Sequence, residues 1–291
     1  MDDLTMDLVR LCQRNRDGSY GTRSNRKRGL SAMANELRDL GYKLPNAGSL
    51  KPKHVEALVE RWLDADTTEA SIRNRLTWLR WWAEKVSKPN VVSRDNATYG
   101  VAERGGAIRN RAQKLDGAKF RAIECPYIKA TILLQVAFGL RREEAMKFQP
   151  QAAIRTDVIM LQASWTKGGR ARTIPITTLE QRQVLEHIVR FMPGRGSLIP
   201  AQLSYVEHLK RFEYHTLKSG LRNTHGFRHA YAQQRYAALT GQACPLAGGK
   251  LWEDMTAKER EADRSARRQI SAELGHGRLK ITDTYLGRAF Q

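Results

Sequence analysis

The second half of the sequence places basic and imidazole side chains at four separate points, and a tyrosine close to its end. The first point follows a Gly-Leu break, the second is a Lys-Gly-Gly turn, the third is a His-x-x-Arg pair, and the fourth is Leu-Gly-His, nine residues before the tyrosine. In chain order these residues are Arg141, Lys167, His225, Arg228, His276 and Tyr285. Cationic side chains of this kind bind anions, and a guanidinium in particular matches the oxygens of a phosphate.

Two other kinds of phosphate chemistry have no support in the sequence. A two-metal nuclease needs several converging carboxylates, but the acidic residues here are interleaved with basic ones and form no such pattern. No P-loop is present, so nucleotide hydrolysis lacks its phosphate cradle. If this protein cuts a phosphodiester, we expect it to use cationic side chains.

The His-x-x-Arg pair is predicted at the start of a helix. Asn223 or Thr224 can cap this helix, and a spacing of three places His225 and Arg228 on one face of its first turn. A helix N-terminus already favours an anion, which strengthens the prediction of an anion site.

The charge of the chain indicates the kind of partner. The 291 residues include 50 Lys and Arg against 30 Asp and Glu, a formal net charge of +20, and such an excess attracts nucleic acid. No run of 18 apolar residues occurs and no signal peptide is recognisable, so no membrane partner is predicted. Three widely spaced cysteines fit reduced thiols better than disulfides or a zinc site. We expect a soluble protein of the cytoplasm.

The first ninety residues have helical periodicity with short polar breaks, which predicts a small helical bundle. The helix from Glu69 carries an apolar stripe and three tryptophans, for which bundle core is favoured over contact with bases. These are Trp78, Trp81 and Trp82. Three arginines off the stripe fit either a solvated face or DNA phosphate contacts, namely Arg73, Arg75 and Arg80.

Periodicity is lost over residues 89–106, where Pro, Asn, Ser and Gly gather, which predicts a linker between domains 1–88 and 107–291. Beyond it the sequence predicts helices broken at Pro126 and Gly139, then a hairpin in VIMLQASWTKGGRARTIPI with Lys167 at its turn, then more helices. The predicted fold class is mainly α with a small antiparallel β-sheet.

In this order, the motifs resemble those of the tyrosine recombinase (phage integrase) family. They are Gly-Leu-Arg with Glu three residues on, Thr-Lys-Gly in a hairpin ending Arg-x-x-Pro, His-x-x-Arg-His, Leu-Gly-His, and tyrosine nine residues later. The resemblance covers about residues 107–291, and the first 88 residues are similar in architecture to the SAM-like core-DNA-binding domain of that family. It implies a catalytic pocket made of Arg141, Lys167, His225, Arg228 and His276, with Tyr285 as the nucleophile.

The chemistry implied by the resemblance needs no metal and no cofactor. Tyr285 would join a 3′ phosphate of DNA and free a 5′ hydroxyl, which keeps an energy-rich link for rejoining. Arg141 and Arg228 would hold nonbridging oxygens. Lys167 would protonate the departing 5′ oxygen, His225 would accept the tyrosine proton and return it, and the Leu-Gly-His histidine would hydrogen-bond a phosphate oxygen.

Neighbouring residues compete for these roles. Arg141 is favoured over Arg142 because it directly follows Gly-Leu. Tyr231 and Tyr236 are favoured as core residues over nucleophiles, and His229 is expected to hydrogen-bond within the domain.

Near the predicted hairpin, Arg170 and Arg172 fit either DNA phosphate contacts or ordinary surface, and Glu144 is expected to orient an arginine. The 47 residues between Arg228 and His276 exceed what the family usually has there, which predicts an inserted loop and a charged helix at about residues 240–268. Only six residues follow Tyr285, too few for a substantial helix donated to another subunit.

The predicted function is site-specific recombination of duplex DNA, with integration or excision of a mobile element. The resemblance implies a C-shaped clamp and a homotetramer on two DNA sites, with an accessory DNA-bending or directionality protein as a further candidate partner, on the bacterial nucleoid. Two other functions stay open. One is a type IB topoisomerase-like enzyme, which shares the chemistry but works alone and without site choice. The other is a DNA-binding regulator that keeps the fold without catalysis.

Overall fold

The computed structural model describes residues 3–102, 108–192 and 194–288. The chain divides into two compact units, residues 1–106 and residues 107–291. The end of the predicted linker, with its boundary at residue 106, lies outside the described residues. In the described ranges, no helix is both long enough and apolar enough to cross a membrane.

The first unit is the helical bundle that the periodicity predicts. Its helices are α1 (Asp3–Arg14), α2 (Tyr20–Asp39), α3 (Pro52–Asp64) and α4 (Glu69–Lys85). Side chains start two of them, because the hydroxyl of Ser19 accepts from the Thr22 amide and that of Thr68 accepts from the Ser71 amide. The bundle closes over a core rich in leucine.

Trp81 and Trp82 of α4 are core residues, as predicted, and Trp78 is partly buried against the same core. Trp82 is fully buried, and the indole of Trp81 donates to Asp17 at 2.8 Å. Trp78 lies against Gly29 of α2, where an added Cβ would lie 2.3 Å from the indole ring. Glycine at that position therefore lets α2 and α4 approach closely.

The described part of the predicted linker packs against the bundle. Val92 and Val101 are buried in the bundle core, and Arg80 of α4 donates to the Ser93 carbonyl and the Asn96 side chain, both at 2.8 Å. Two isolated valines give no periodic signal, so the sequence could not distinguish this packed segment from a solvated one.

The second unit is mainly helical and contains one two-stranded sheet, which confirms the predicted fold class. Its first helices are α5 (Gly117–Arg121), α6 (Pro126–Phe138), α7 (Arg142–Lys147) and α8 (Pro150–Ala153). Strands β1 (Val158–Leu161) and β2 (Arg172–Pro175) form an antiparallel hairpin. The remaining helices are α9 (Leu179–Phe191), α10 (Tyr205–Lys218), α11 (Gly226–Thr240), α12 (Ala257–Leu274) and α13 (Asp283–Leu286).

The predicted break at Gly139 positions the first site residue. Gly139 ends α6 with φ of +61°, a left-handed conformation that favours glycine. An added Cβ would lie 2.6 Å from the Tyr231 ring of α11. The chain therefore turns tightly over α11 and begins α7 at Arg142, with Arg141 at the turn.

The region predicted as an insertion, residues 240–268, holds an irregular segment followed by most of α12. Helix α12 begins at Ala257, and its Ala266 and Ile270 belong to the core of the unit. The irregular part is therefore limited to residues 241–256. Part of the charge of α12 is buried, because Asp263 and Arg267 form a buried ion pair at 2.8 Å.

Candidate active site

Glu144, in the first turn of α7, is the buried anion around which the arginines of the site collect. It is 1 % exposed. Its carboxylate accepts from the guanidinium of Arg141 at 2.7 Å and from that of Arg172 at 2.7 and 3.2 Å, and it lies 3.9 Å from Arg228. Burial alone would raise its pKa, but hydrogen bonding to Arg172 and the three positive charges lower it to about 2. Glu144 is therefore ionised at neutral pH.

Arg228, in the first turn of α11, is almost fully buried. Its Nη1 donates to the Gly139 carbonyl at 2.6 Å and its Nη2 to the Leu274 carbonyl at 2.5 Å, while Nη2 also lies 3.3 Å from Nε2 of His276. Burial, followed by neighbouring positive charge, lowers the pKa of Arg228 to about 10, so it is still protonated at neutral pH. These contacts fix the guanidinium between the ends of α6 and α12.

The start of α11 differs from the prediction of an Asn223 or Thr224 cap. The helix begins at Gly226, and the N-cap is His225, whose side chain makes no capping hydrogen bond. Asn223 instead adopts φ of +53° and its carbonyl accepts from the Gly226 amide at 2.8 Å. This tight turn leaves the imidazole of His225 beside the site and the Arg228 side chain buried within it.

Tyr285 lies in α13, a helix of four residues. The residue is 5 % exposed, and its hydroxyl accepts from Nε of Arg228 at 3.3 Å. The ring of His276 stacks on the tyrosine ring, with 5.2 Å between centroids and 16° between planes. The phenol is thus held inside the arginine cluster.

Three imidazoles surround the Tyr285 ring, and all have lowered pKa values. Burial is the main cause in each, followed by neighbouring positive charge, and it lowers the pKa of His276 to about 3 and that of His229 to about 4. The pKa of His225, whose ring lies 6.2 Å from that of Tyr285, is also lowered. The imidazoles are therefore neutral at pH 7, and a neutral imidazole can accept a proton.

His229 differs from its prediction. Its ring centroid lies 4.5 Å from that of Tyr285. Its Nδ1 is buried and has no hydrogen-bond partner among the described residues, whereas the sequence predicted a hydrogen bond within the domain. Its observed role is to pack against the tyrosine.

The three basic residues predicted in or near the hairpin differ in how close they lie to the site. Lys167 lies exposed in the turn, and the structure gives it no hydrogen bond or ion pair to any described residue, so it is not brought to the other five. Arg170 lies against Gly277, where an added Cβ would be 2.8 Å from its Nη1. Arg172 is not a surface residue: its side chain is 6 % exposed and binds Glu144 and the Glu273 carbonyl.

The three arginines of α4 are half-buried, and each has partners within the first unit. Arg73 donates to Glu69 and the Ala102 carbonyl, and Arg80 holds the 93–96 segment. Arg75 lies 3.9 Å from Glu36 and stacks over Trp62. Contact with DNA remains a prediction for them.

Arg142, Tyr231 and Tyr236, which compete for these roles, have other partners. Arg142 pairs with Glu213 at 3.2 Å on the surface. Tyr231 and Tyr236 are buried and donate to the carboxylates of Glu273 and Asp263, and burial raises the pKa of both phenols. Both are core residues, as predicted. The sequence missed the extent of the Glu144 cluster, although Glu three residues after Arg141 was its signal.

Models of known protein families match both units of the chain. Residues 1–90 match the family described as phage integrase, N-terminal, and residues 112–234 match the family described as integrase. The chain belongs to the tyrosine recombinase (phage integrase) family, which is a family of site-specific DNA recombinases. No curated protein sequence matches it significantly.

Solved structures share the fold at low sequence identity. A lambda integrase tetramer bound to a Holliday junction aligns with a TM-score of 0.62 and 14% identity over 99% of this chain and 78% of that chain. The Tn1549 transposon integrase in complex with transposon right-end DNA gives 0.61 and 13% over 99% and 96%. The XerH recombinase bound to its difH substrate gives 0.57 and 14% over 99% and 81%.

Among the described residues, no group of three or more His, Cys, Asp or Glu side chains is arranged to hold a metal ion.

Proposed function

We propose that this protein cuts and rejoins duplex DNA at a specific site through a phosphotyrosine intermediate, with Tyr285 as the nucleophile. The observation that supports this best is the contact between the buried Tyr285 hydroxyl and the Arg228 guanidinium. A buried phenol in a structural role usually has a carboxylate or carbonyl as its acceptor, as Tyr231 and Tyr236 do here. The hydroxyl of Tyr285 is instead held beside cations that would bind a phosphate.

Charge favours a phosphate in this pocket. Three guanidinium groups surround one carboxylate, so the cluster keeps a formal excess of positive charge when Glu144 is ionised. The guanidinium of Arg141 is partly exposed, whereas those of Arg172 and Arg228 are almost fully buried. In this proposal Arg141 reaches the incoming phosphate first, and Arg228 stabilises the charge that grows on its nonbridging oxygens in the transition state.

The proposed reaction exchanges one phosphoester for another. The Tyr285 oxygen attacks the scissile phosphorus, the bond from phosphorus to the 5′ oxygen breaks, and the 3′ phosphate stays on the tyrosine. The phenol proton passes to neutral His225, and Lys167 supplies a proton to the departing 5′ oxygen. Rejoining is the same exchange in reverse, so no water and no nucleotide are consumed. His276, neutral at working pH, donates a hydrogen bond to a phosphate oxygen.

Lys167 must approach for this step, because it lies exposed in the hairpin turn. The two glycines that follow it give the turn freedom to move, since Gly168 and Gly169 have φ of +85° and +66° and no atom within 4 Å of an added Cβ. We propose that DNA draws this turn down onto the cleaved strand.

The proposed partner is duplex DNA, bound by both units, with Arg73, Arg75, Arg80 and Arg170 as candidate contacts. Support comes from the +20 charge and from the lambda, Tn1549 and XerH proteins, whose structures contain DNA. A homotetramer on two sites is proposed from the lambda tetramer on a Holliday junction. We propose that the reaction integrates or excises a mobile element and takes place on the bacterial nucleoid. An accessory protein is a further candidate partner.

The test uses a suicide substrate, a DNA site nicked so that cleavage releases a short fragment and traps the intermediate. Wild type should give a slow-moving protein–DNA band on a denaturing gel, also in excess chelator, and peptide mapping should place the DNA on Tyr285. Tyr285→Phe should bind DNA as wild type does and give no band. Tyr214→Phe is the control, because that tyrosine is 61 % exposed in α10.

Other functions would give different results. A DNA-binding regulator traps no adduct with either protein. A topoisomerase-like enzyme traps it on any duplex, without a second site. Loss of the band in chelator, with recovery in magnesium, would indicate a metal-dependent enzyme.

A further inference from the structure

The helix that carries Tyr285 is held by a buried arginine from α12. The side chain of Arg267 is 2 % exposed. Its Nη1 donates to a carboxylate oxygen of Asp283 at 3.0 Å and to the Gly287 carbonyl at 2.9 Å. These two acceptors lie on either side of Tyr285 in the sequence, so one guanidinium holds both ends of the nucleophile helix.

Arg267 is itself fixed to the body of the unit. Its Nε lies 2.9 and 2.8 Å from the two carboxylate oxygens of Asp263. The Tyr236 hydroxyl donates to the same carboxylate at 2.7 Å. The arginine is therefore anchored to α11 and α12 before it reaches α13.

Two further contacts hold the same segment. The side chain of Gln233 in α11 donates to the Tyr285 carbonyl at 3.0 Å. Gly287 lies so close to the 241–256 loop that an added Cβ would be 3.0 Å from the Leu246 amide nitrogen. The irregular segment after α11 thus packs against the end of α13, the helix that carries Tyr285.

The helix cannot hold this position alone. Four residues are far too few for a stable isolated helix, and the tyrosine side chain itself makes one hydrogen bond in the pocket, at 3.3 Å. Tyr285 and Leu286 are buried in the core of the unit, and the contacts made by the flanking residues add to this burial in holding the docked position.

We propose that Arg267 is a positioning residue that keeps Tyr285 docked in the pocket of its own chain by binding Asp283 and the Gly287 carbonyl. Among the described residues, no hydrogen bond or ion pair joins it to Tyr285 or to the arginines proposed to bind the phosphate, so in this proposal it acts through the helix. The proposal concerns the reaction proposed above and rests on it for its effect on rate, but the docking itself is measurable without DNA.

The test variant is Asp283→Asn, which weakens the contact while Asp263 still neutralises Arg267. Substituting Arg267 directly would leave Asp263 buried without a partner and could prevent folding. The control is Asp157→Asn, which weakens a surface ion pair with Arg182 at 3.1 Å. Hydrogen exchange of the peptide covering residues 282–288, in the free full-length chain, measures docking directly.

Asp283→Asn should accelerate exchange in that peptide by about tenfold or more, since a hydrogen bond between charged groups shifts an equilibrium by that factor. Exchange in α6 should not change. Adduct formation on the suicide substrate should slow by up to the same factor, and Asp157→Asn should behave as wild type. Equal exchange in Asp283→Asn and wild type would overturn the proposal.

A second substrate separates positioning from proton transfer. A bridging sulfur in place of the 5′ oxygen gives a leaving group that needs no proton, so it should rescue Lys167→Ala and leave Asp283→Asn slow. Full rescue of Asp283→Asn would overturn the positioning role. If wild type forms no adduct on either substrate, the proposed function fails, whereas the exchange measurement still decides whether Arg267 holds the helix.

Discussion

Glu144→Gln tests whether one buried carboxylate organises the site. The lowering of the Glu144 pKa from its ordinary value of 4.5 to about 2 corresponds to about 3 kcal/mol of folding free energy, at about 1.4 kcal/mol per pKa unit. Removing one partner from a buried ion pair costs about 3–5 kcal/mol, which agrees in size. We therefore expect the variant to lower the free energy of unfolding of the second unit by about 3 kcal/mol at pH 7.

The pH dependence of this loss is specific to Glu144. Because its folded-state pKa lies below the unfolded value, its stabilisation is complete above about pH 4.5 and is lost as pH falls towards 2. About 2 kcal/mol is lost by pH 3. The difference in stability between wild type and Glu144→Gln should therefore shrink by about 2 kcal/mol from pH 6 to pH 3, while carboxylates common to both proteins cancel.

The assay must report on the second unit alone. Hydrogen exchange of the α6 amides as a function of urea does so, because that helix lies in the core of the unit. Glu143→Gln is the matched control. Its side chain is exposed and pairs with Lys147 across one helical turn, so it should change stability by less than about 1 kcal/mol at either pH. A difference for Glu144→Gln that stays constant from pH 6 to pH 3 would refute the assignment of Glu144 as an ionised counterion.

Three further predictions concern backbone, proton transfer and binding. Gly139→Ala should destabilise the second unit by about 1–3 kcal/mol more than Gly168→Ala in urea unfolding, because both have positive φ but only Gly139 faces the Tyr231 ring; equal losses would contradict this. The lowered pKa of His225 keeps it neutral from pH 7 to 9, so adduct formation should vary little there and fall only well below pH 6.5; a tenfold fall between pH 8 and 7 would count against it as the base. The logarithm of the DNA association constant should fall with the logarithm of salt concentration with a slope on the order of −6 or steeper, measured by fluorescence anisotropy. A slope near −2 would not fit two DNA-binding units.

The fold class could be predicted from the sequence because its signals are local. Each signal lies within a few residues of the structure that it predicts. These signals are helical periodicity, Gly139 at a helix end, and a Lys-Gly-Gly turn between two β-rich runs. The packing of the 89–102 segment and of α12 could not be predicted in the same way. Few residues of the segment are buried, and α12 buries a charged pair, so the hydrophobic pattern did not show how either one packs.

In the candidate site, too, some features could be predicted from the sequence and others could not. Motif order identified the residues, and the structure brings Arg141, His225, Arg228, His276 and Tyr285 into one pocket. The sequence could not predict which cations would be buried. Arg172 was predicted as either a DNA phosphate contact or ordinary surface, but it is buried against Glu144, which lies 28 residues earlier in the chain. Contacts over such separations depend on tertiary packing, which a pattern of residue types does not encode.

The charge balance of the pocket links stability to the proposed reaction. If Glu144 had enough acidic neighbours to neutralise all three arginines, the cluster would be stable but would not attract a phosphate. Without Glu144, three guanidinium groups gathered around one point would repel and could not be buried at acceptable cost. One carboxylate for three cations is the intermediate case: it offsets the desolvation of the buried arginines in part and leaves positive charge unbalanced beside Tyr285. A phosphate supplies the missing negative charge, so DNA binding should stabilise the same cluster that is proposed to cleave it.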